Sequence, residues 1–454
     1  MAYYPDWTSA AFPPEKVDFG RYDWVDFAFA VPLSDFSLGW DGSDDDPDVL
    51  RRLVAAAHQA GKKVKVSVGG WTGSKYFSAA VATAQSRETF AGSILGMYNQ
   101  YGVDGIDIDW EFPGQSGNDG NGESPGDAAN FLSFLQLLRT TLPPQAKITA
   151  ATMTVPWADA QGNPLKDVSA FAQVLDWILI MNYDTWGSSS PPGPNAPLSN
   201  ACHNSTQSSA SAVAGVATWT AAGFPASQIV LGVPSYGYIA RSASDALTTR
   251  ALVSRRPRHV PMHLDGPAGD ALGTDALDDP LLHAAGAPGA APAVTNEDGG
   301  ADAGQVQFRD LVGQGVLQYV PAWSTSAAAR VASGDPGDAP SDAVDASDDA
   351  GAAAAGGPGD PDAALSTLSF AGHTIANVFT AADGFERRWD ACSSTPYLRS
   401  AAARQVVAYD DPQSLEMKAT FARYAGLRGV NLFDIHGDTD NADLADALRR
   451  GLGL

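Results

Sequence analysis

Cysteine is almost absent: the 454 residues hold only Cys202 and Cys392, too few for a disulfide framework and far from any zinc-type spacing. A single bridge between them stays open, so cysteine alone does not decide the compartment. No run of eighteen or more apolar residues occurs, which excludes a transmembrane helix read from hydropathy and points to a soluble chain. Basic residues are scarce as well. With 28 Lys and Arg against 52 Asp and Glu, the net charge of −24 would repel nucleic acid and anionic membrane surfaces, and neither is expected as a partner. Also missing is the basic start and apolar stretch of a secretory signal, because MAYYPDW runs at once into a strand-like segment. The expectation is a chain that stays inside the cell, or a mature or truncated form.

What is present is 44% hydrophobic residues, enough for a sizeable core; by length, one large barrel with an insertion fits as well as several smaller domains. Short apolar, β-rich runs recur at 2–4, 25–31, 63–69, 105–112, 148–155, 177–184, 229–234 and 429–434. Helical patterns lie between them at 47–63, 87–102, 129–142, 209–223 and 414–426. This alternation predicts an α/β fold, a (β/α)8 TIM barrel whose functional residues gather at the carboxyl ends of the strands. Periodicity is lost from about 241 to 370, where Ala, Gly, Pro and Asp dominate. Between 331 and 362 there are eight Asp and no Lys or Arg, a composition expected to be disordered. Residues 1–240 are thus assigned to the first seven barrel strands. Residues 241–410 are assigned to an insertion between strand seven and its helix, with a low-complexity segment and a small α+β subdomain. Residues 411–454 are assigned to the last helix, strand and helix.

The most informative segment is GVDGIDIDWEFPG, where Asp107, Asp109 and Glu111 alternate with Ile106, Ile108 and Trp110 at the period of a strand. Three carboxylates share one face, about 6.6 Å apart along the backbone. Like charges held so close, with little water, push at least one carboxyl toward its protonated form. A glycosidase needs such an acid for the leaving oxygen. The same acids could bind a hard cation, but cation sites draw on flexible loops with carbonyl ligands. Acids that end an apolar strand before Pro113 and Gly114 favour catalysis.

Asp104, Asp107, Asp109 and Glu111 match the DxxDxDxE signature, and the chain resembles glycoside hydrolase family 18, the chitinase family. SVGGW (67–71), MNYD (181–184) and LGVPSYG (231–237) follow in the family's order, and the wording around them is most similar to fungal members. The resemblance implies substrate-assisted, retaining hydrolysis of β-1,4-linked N-acetylglucosamine in chitin and its oligosaccharides, without cofactor or metal, by a monomer. Glu111 would be the acid, Asp109 the partner of the acetamido group, Asp107 its proton-sharing neighbour, and Tyr183 the holder of the acetamido carbonyl. Tyr4, Phe29, Ser67, Gly70, Trp71, Met181, Asp184, Tyr236 and Phe433 are implied to bind the sugar, Ser67 by way of the inner aspartates. An extracellular location is also implied, against the missing leader.

Trp71, Trp157, Trp186 and Trp389 are further candidates for stacking on sugar faces, whereas Trp24 and Trp177 are assigned to packing. The sequence departs from the family at Phe433, where Trp is common, and at Tyr238, where Arg is common. Two other readings remain: a lectin that holds chitin without cutting it, and an endo-β-N-acetylglucosaminidase acting on N-glycans. The intact acid Glu111 argues against the first, and cleft shape decides the second.

Overall fold

A computed structural model describes residues 1–42, 45–248, 292–320 and 379–454. The disorder expected at 331–362 falls outside the described residues. Eight parallel strands form the centre: β1 (Ala2–Pro5), β2 (Trp24–Pro32), β3 (Lys63–Gly69), β4 (Gly105–Asp109), β5 (Lys147–Thr152), β6 (Trp177–Met181), β7 (Ile229–Pro234) and β8 (Gly429–Phe433). Each pairs with its neighbours in sequence, and β1 pairs with both β2 and β8, so the sheet closes into the expected TIM barrel.

Alternation along each strand sorts residues between two sides. In β3, Val64, Val66 and Val68 join the large core under the helices, while Lys65 and Ser67 turn into the barrel. The helices Asp46–Gln59, Ala84–Tyr101 and Asp127–Thr141 bury apolar residues at helical spacing, among them Leu50, Leu53, Phe90, Ile94, Phe131, Leu135 and Leu138. Each such side chain contributes about 1.5–3 kcal/mol on leaving water. Thr83 and Ser86 form a capping box at the start of Ala84–Tyr101, and Gly102 ends it at φ 65°.

Three strands are shorter than the apolar runs suggest. β4, β5 and β6 stop at Asp109, Thr152 and Met181, where parallel pairing ends. Glu111, Tyr183 and Asp184 therefore sit on loops just beyond the carboxyl rim. The helix Asp46–Gln59 is shorter than its pattern too, because Gly61 at φ 70° turns the chain into β3.

Between β7 and the helix Pro412–Tyr424 lies an antiparallel sheet in the order Ala303–Gln307, Tyr236–Arg241, Gln405–Ala408, Thr395–Ser400, Glu386–Asp390. A second pair joins Leu317–Tyr319 to Phe379–Ala381. Cys202 and Cys392 are disulfide-bonded across 190 residues and tie the loop after β6 to this sheet. Backbone bonds from Leu198 N to Ser393 O (2.9 Å) and from Ala201 N to Cys392 O (3.0 Å) follow the same seam. Closing so long a loop removes much entropy from the unfolded chain. The double variant Cys202→Ser/Cys392→Ser is expected to lose about 2–5 kcal/mol of stability, read from its urea midpoint. An unchanged midpoint would show that the seam holds without the bond.

Candidate active site

The acid stack is built by strand register. Asp107 is the Cα partner of Ser67 on β3 and of Thr149 on β5, so both hydroxyls face it across the interior. Ser67 Oγ donates to Asp107 Oδ2 at 2.8 Å, Tyr3 OH to the same oxygen at 2.9 Å, and Thr149 Oγ1 to Oδ1 at 2.5 Å. Asp109 stands two residues on, also buried, and its Oδ1 has no hydrogen-bond partner. Burial, and then the charge of Asp107, pushes the Asp109 carboxyl well above the usual range. Gly69 lies alongside at φ 118°; a Cβ there would meet Asp109 O at 2.1 Å, so only glycine allows the close approach.

Glu111 follows, half-buried, with its backbone clamped. Its N–H donates to Ser74 Oγ at 2.9 Å, and Asn121 Nδ2 donates to its carbonyl at 3.1 Å and to that of Trp71 at 3.1 Å. Its carboxyl is pushed well above the ordinary range by burial first, then by the charges of Asp109 and Asp184. A carboxyl in this setting keeps a proton to donate above the usual carboxylate range.

Asp184 lies across from it at φ 58°, its N–H held by Asn195 Oδ1 at 2.9 Å. Two phenols donate to one of its oxygens, Tyr236 at 2.6 Å and Tyr238 at 2.7 Å, and Gln305 Nε2 donates to Tyr238 OH at 3.0 Å. Tyr183, Tyr236 and Tyr3 surround Phe433, with ring centres 5.8, 6.4 and 5.1 Å from it. Two adjoining cavities of about 310 and 100 Å³ open over these groups, and Glu111, Trp71, Met181, Tyr183 and Asp184 line both. Phe29, Asp109, Tyr236 and Phe433 line the smaller one, together with Trp7. Among the described residues no cluster of three or more His, Cys, Asp or Glu is placed to hold a metal ion. The arrangement offers a proton donor, one acid of a buried pair and an apolar, aromatic wall facing the smaller cavity, with Asp107 behind Asp109.

Residues 1–438 match the family model for glycosyl hydrolases family 18. The chain belongs to that family. A chitinase-like effector of Moniliophthora roreri is 34% identical over 460 residues, covering 100% of this chain and 92% of that protein. Chitotriosidase-1 of Mus musculus is 32% identical over 262 residues, 54% of this chain and 55% of its own. A crystal structure of a chitinase from Rhizomucor miehei aligns with TM-score 0.66 and 26% identity over 99% of this chain and 98% of that one.

Within this family 18 barrel, Glu111, Asp109, Tyr183, Phe29, Trp71, Met181, Asp184, Tyr236 and Phe433 come together at the cavities, and other candidates do not. Tyr4 does not face the cavity: it points outward into the core under the helices, its hydroxyl donating to Phe12 O at 2.7 Å, and Tyr3 takes the inward position. Gly70 lines neither cavity and backs Phe29, whereas Ser67 holds Asp107 as expected. Trp157 and Trp186 are buried rather than cavity-lining, Trp157 among Phe131, Phe171 and Trp219 and Trp186 against Gly193. Trp389 lies on the outermost strand of the inserted sheet, under the Arg387 guanidinium. Trp24 and Trp177 pack edge to face at 5.4 Å, as assigned. The sequence reading missed Trp7, Asp41, Thr72 and Gln305 in the smaller cavity and Gln207 in the larger. They come from loops, from the short helices Asp6–Thr8 and Gly70–Gly73 and from the inserted sheet, where no strand periodicity announces them.

Proposed function

We propose that this chain is a chitinase that hydrolyses β-1,4 linkages between N-acetylglucosamine units by substrate-assisted, retaining catalysis. The observation that carries the reading is the backbone-clamped Glu111, its carboxyl pushed upward by burial and by Asp109 and Asp184, lining the cavity beside buried Asp109. Family members that use the substrate's own acetamido group need no protein nucleophile, and so are exceptions to the two-carboxylate pattern. Glu111 protonates the glycosidic oxygen as the bond to the anomeric carbon breaks. The acetamido oxygen of the same sugar attacks that carbon and gives an oxazolinium ion. Asp109 receives the acetamido N–H, and Tyr183 OH holds the acetamido carbonyl in line. Glu111, now the base, takes a proton from water, which opens the ring with retention. Phe433, Tyr183, Met181 and Trp71 supply the apolar surface on which a sugar ring stacks.

The name chitinase-like effector carried by the Moniliophthora relatives supports a second reading, a protein that holds chitin oligosaccharides without turnover. The retained Glu111 weighs against it. The Cys202–Cys392 bridge supports an oxidising, extracellular setting. The test is fluorophore release from N-acetylchitobiose and N-acetylchitotriose glycosides. Release establishes the enzyme and its product preference; no release, with calorimetric binding of chitohexaose, gives the second reading. Release of N-glycans from a glycoprotein alone would move the substrate to the chitobiose core.

A further inference from the structure

Lys65 has no part in the chemistry above, yet it is 1% exposed inside the barrel, one turn of the pleat below Ser67. Its Nζ donates to Thr149 Oγ1 at 2.7 Å and lies 3.3 Å from Asp26 Oδ2 and 3.9 Å from Asp107 Oδ1. It also sits 4.8 Å from the centre of the Trp177 ring. Gly105 leaves room for its stem: a Cβ there would come within 3.1 Å of Lys65 Cγ. An ammonium so deep in the fold persists only when its partners offset the loss of water. Asp26 is that partner by register, as Asp26 and Lys65 are Cα partners across β2 and β3. Asp26 receives a second contact from Asn431 Nδ2 at 3.1 Å.

Thr149 links this ion pair to the acid stack. Its hydroxyl accepts from Lys65 and donates to Asp107 Oδ1, while Tyr3 and Ser67 donate to Asp107 Oδ2. These three hydroxyls all donate, which suits the ionised acid. Asp109 Oδ1, by contrast, meets no donor. We propose that Lys65 is a positioning residue: through Thr149 and its own charge it fixes the resting negative charge of the acid pair on Asp107, leaving the shared proton on Asp109, the member that faces the cavity. This rests on the reading that the pair serves the chemistry at Glu111.

The ionisable groups that bear on the pair are Tyr3 from β1, Asp26 from β2, Lys65 from β3, Glu111 beyond β4, Tyr183 beyond β6 and the Met1 amine, which lies close to Asp26 and Lys65. Of these, Lys65 brings positive charge closest to Asp107. The two acids titrate as a coupled pair, so the quantity to follow is the lower of the pair's two steps. It is read by 13C NMR of protein labelled at the aspartate carboxyls, with the pair's signals identified by their loss in Asp107→Asn and Asp109→Asn. In Lys65→Met the lower step is expected to move up by about one pH unit or more, the scale of a lost charge contact at this separation. In Asp26→Asn, which keeps the side-chain shape and frees Lys65 to act on Asp107 alone, it is expected to move down. The second variant stands even if the first does not fold. A folded variant that leaves the step in place, or movement of both in the same direction, overturns the proposal. The titration needs no substrate, so a chain that cleaves nothing would sink the chitinase reading and leave this one to be decided separately.

Discussion

Glu111→Gln is expected to reduce fluorophore release from N-acetylchitotriose glycosides by ~10²–10⁴-fold, the range of a lost general acid. Binding of chitohexaose by calorimetry is expected to persist. Gln has nearly the size of Glu, and the contacts that hold this position, from Ser74 and Asn121, go to the backbone and survive the change. What disappears is a proton that can be given up. The same reasoning sets the pH profile of the native chain. Burial, Asp109 and Asp184 keep the Glu111 carboxyl protonated above its ordinary range. Turnover should therefore hold through weakly acidic pH and fall as pH rises through that raised value. Full activity in a pure Glu111→Gln preparation would remove Glu111 from the chemistry and the chitinase mechanism with it.

Asp109→Asn is expected to slow release by ~10²-fold or more while leaving the thermal midpoint equal or higher. The two readouts move apart for one reason. Asp109 is buried beside Asp107 with one oxygen unpartnered, so the folded state bears a desolvation cost for its polar carboxyl and a repulsion cost whenever it ionises. An amide never ionises and so escapes the second cost, but it cannot take up the negative charge that answers the acetamido group. Sites shaped for reaction often give up stability in this way. A midpoint that falls by many degrees with activity retained would make Asp109 a structural residue.

Much of this site is legible in the sequence because β4 is short, apolar and strictly alternating. GIDID admits one placement in a closed barrel: Ile106 and Ile108 toward the helices, Asp107 and Asp109 inward. KVKVSV in β3 carries the same information for Lys65 and Ser67, since its valines take the other face; only Ser67 is expected from it, by its setting in SVGGW. Tyr3 and Tyr4 are another matter. A strand of four residues with two adjacent tyrosines has no pattern to say which one turns inward, and pairing with β2 and β8 decides it. Tyr238 and Gln305 could not be joined by inspection. They become cross-strand partners only when Tyr236–Arg241 folds against Ala303–Gln307, more than sixty positions on. Trp157 illustrates the opposite error, an aromatic residue near strand β5 that packs into the helix layer with Phe171 and Trp219.

That cross-strand pair has a consequence for how the protein tolerates change. The chain leaves the inserted sheet at Arg241 and re-enters at Ala303 on the neighbouring strand, and Arg241 is pinned to Asp302 by a backbone bond and a 2.7 Å ion pair. Leu317–Tyr319 and Phe379–Ala381 bracket a second excursion in the same manner. Each excursion begins and ends at one address. In the first, residues 242–248 and 292–302 stay bonded to the body of the protein, through Ser242 N to Arg404 O, Thr248 N to Pro192 O and Val294 N to Gln405 Oε1, so length is best added beyond Thr248, and the entropy of closing a loop grows only with the logarithm of its size. The two brackets act as clasps, and they mark where a tag, a reporter or a whole foreign module could be spliced in while the hollow above Glu111 keeps its shape.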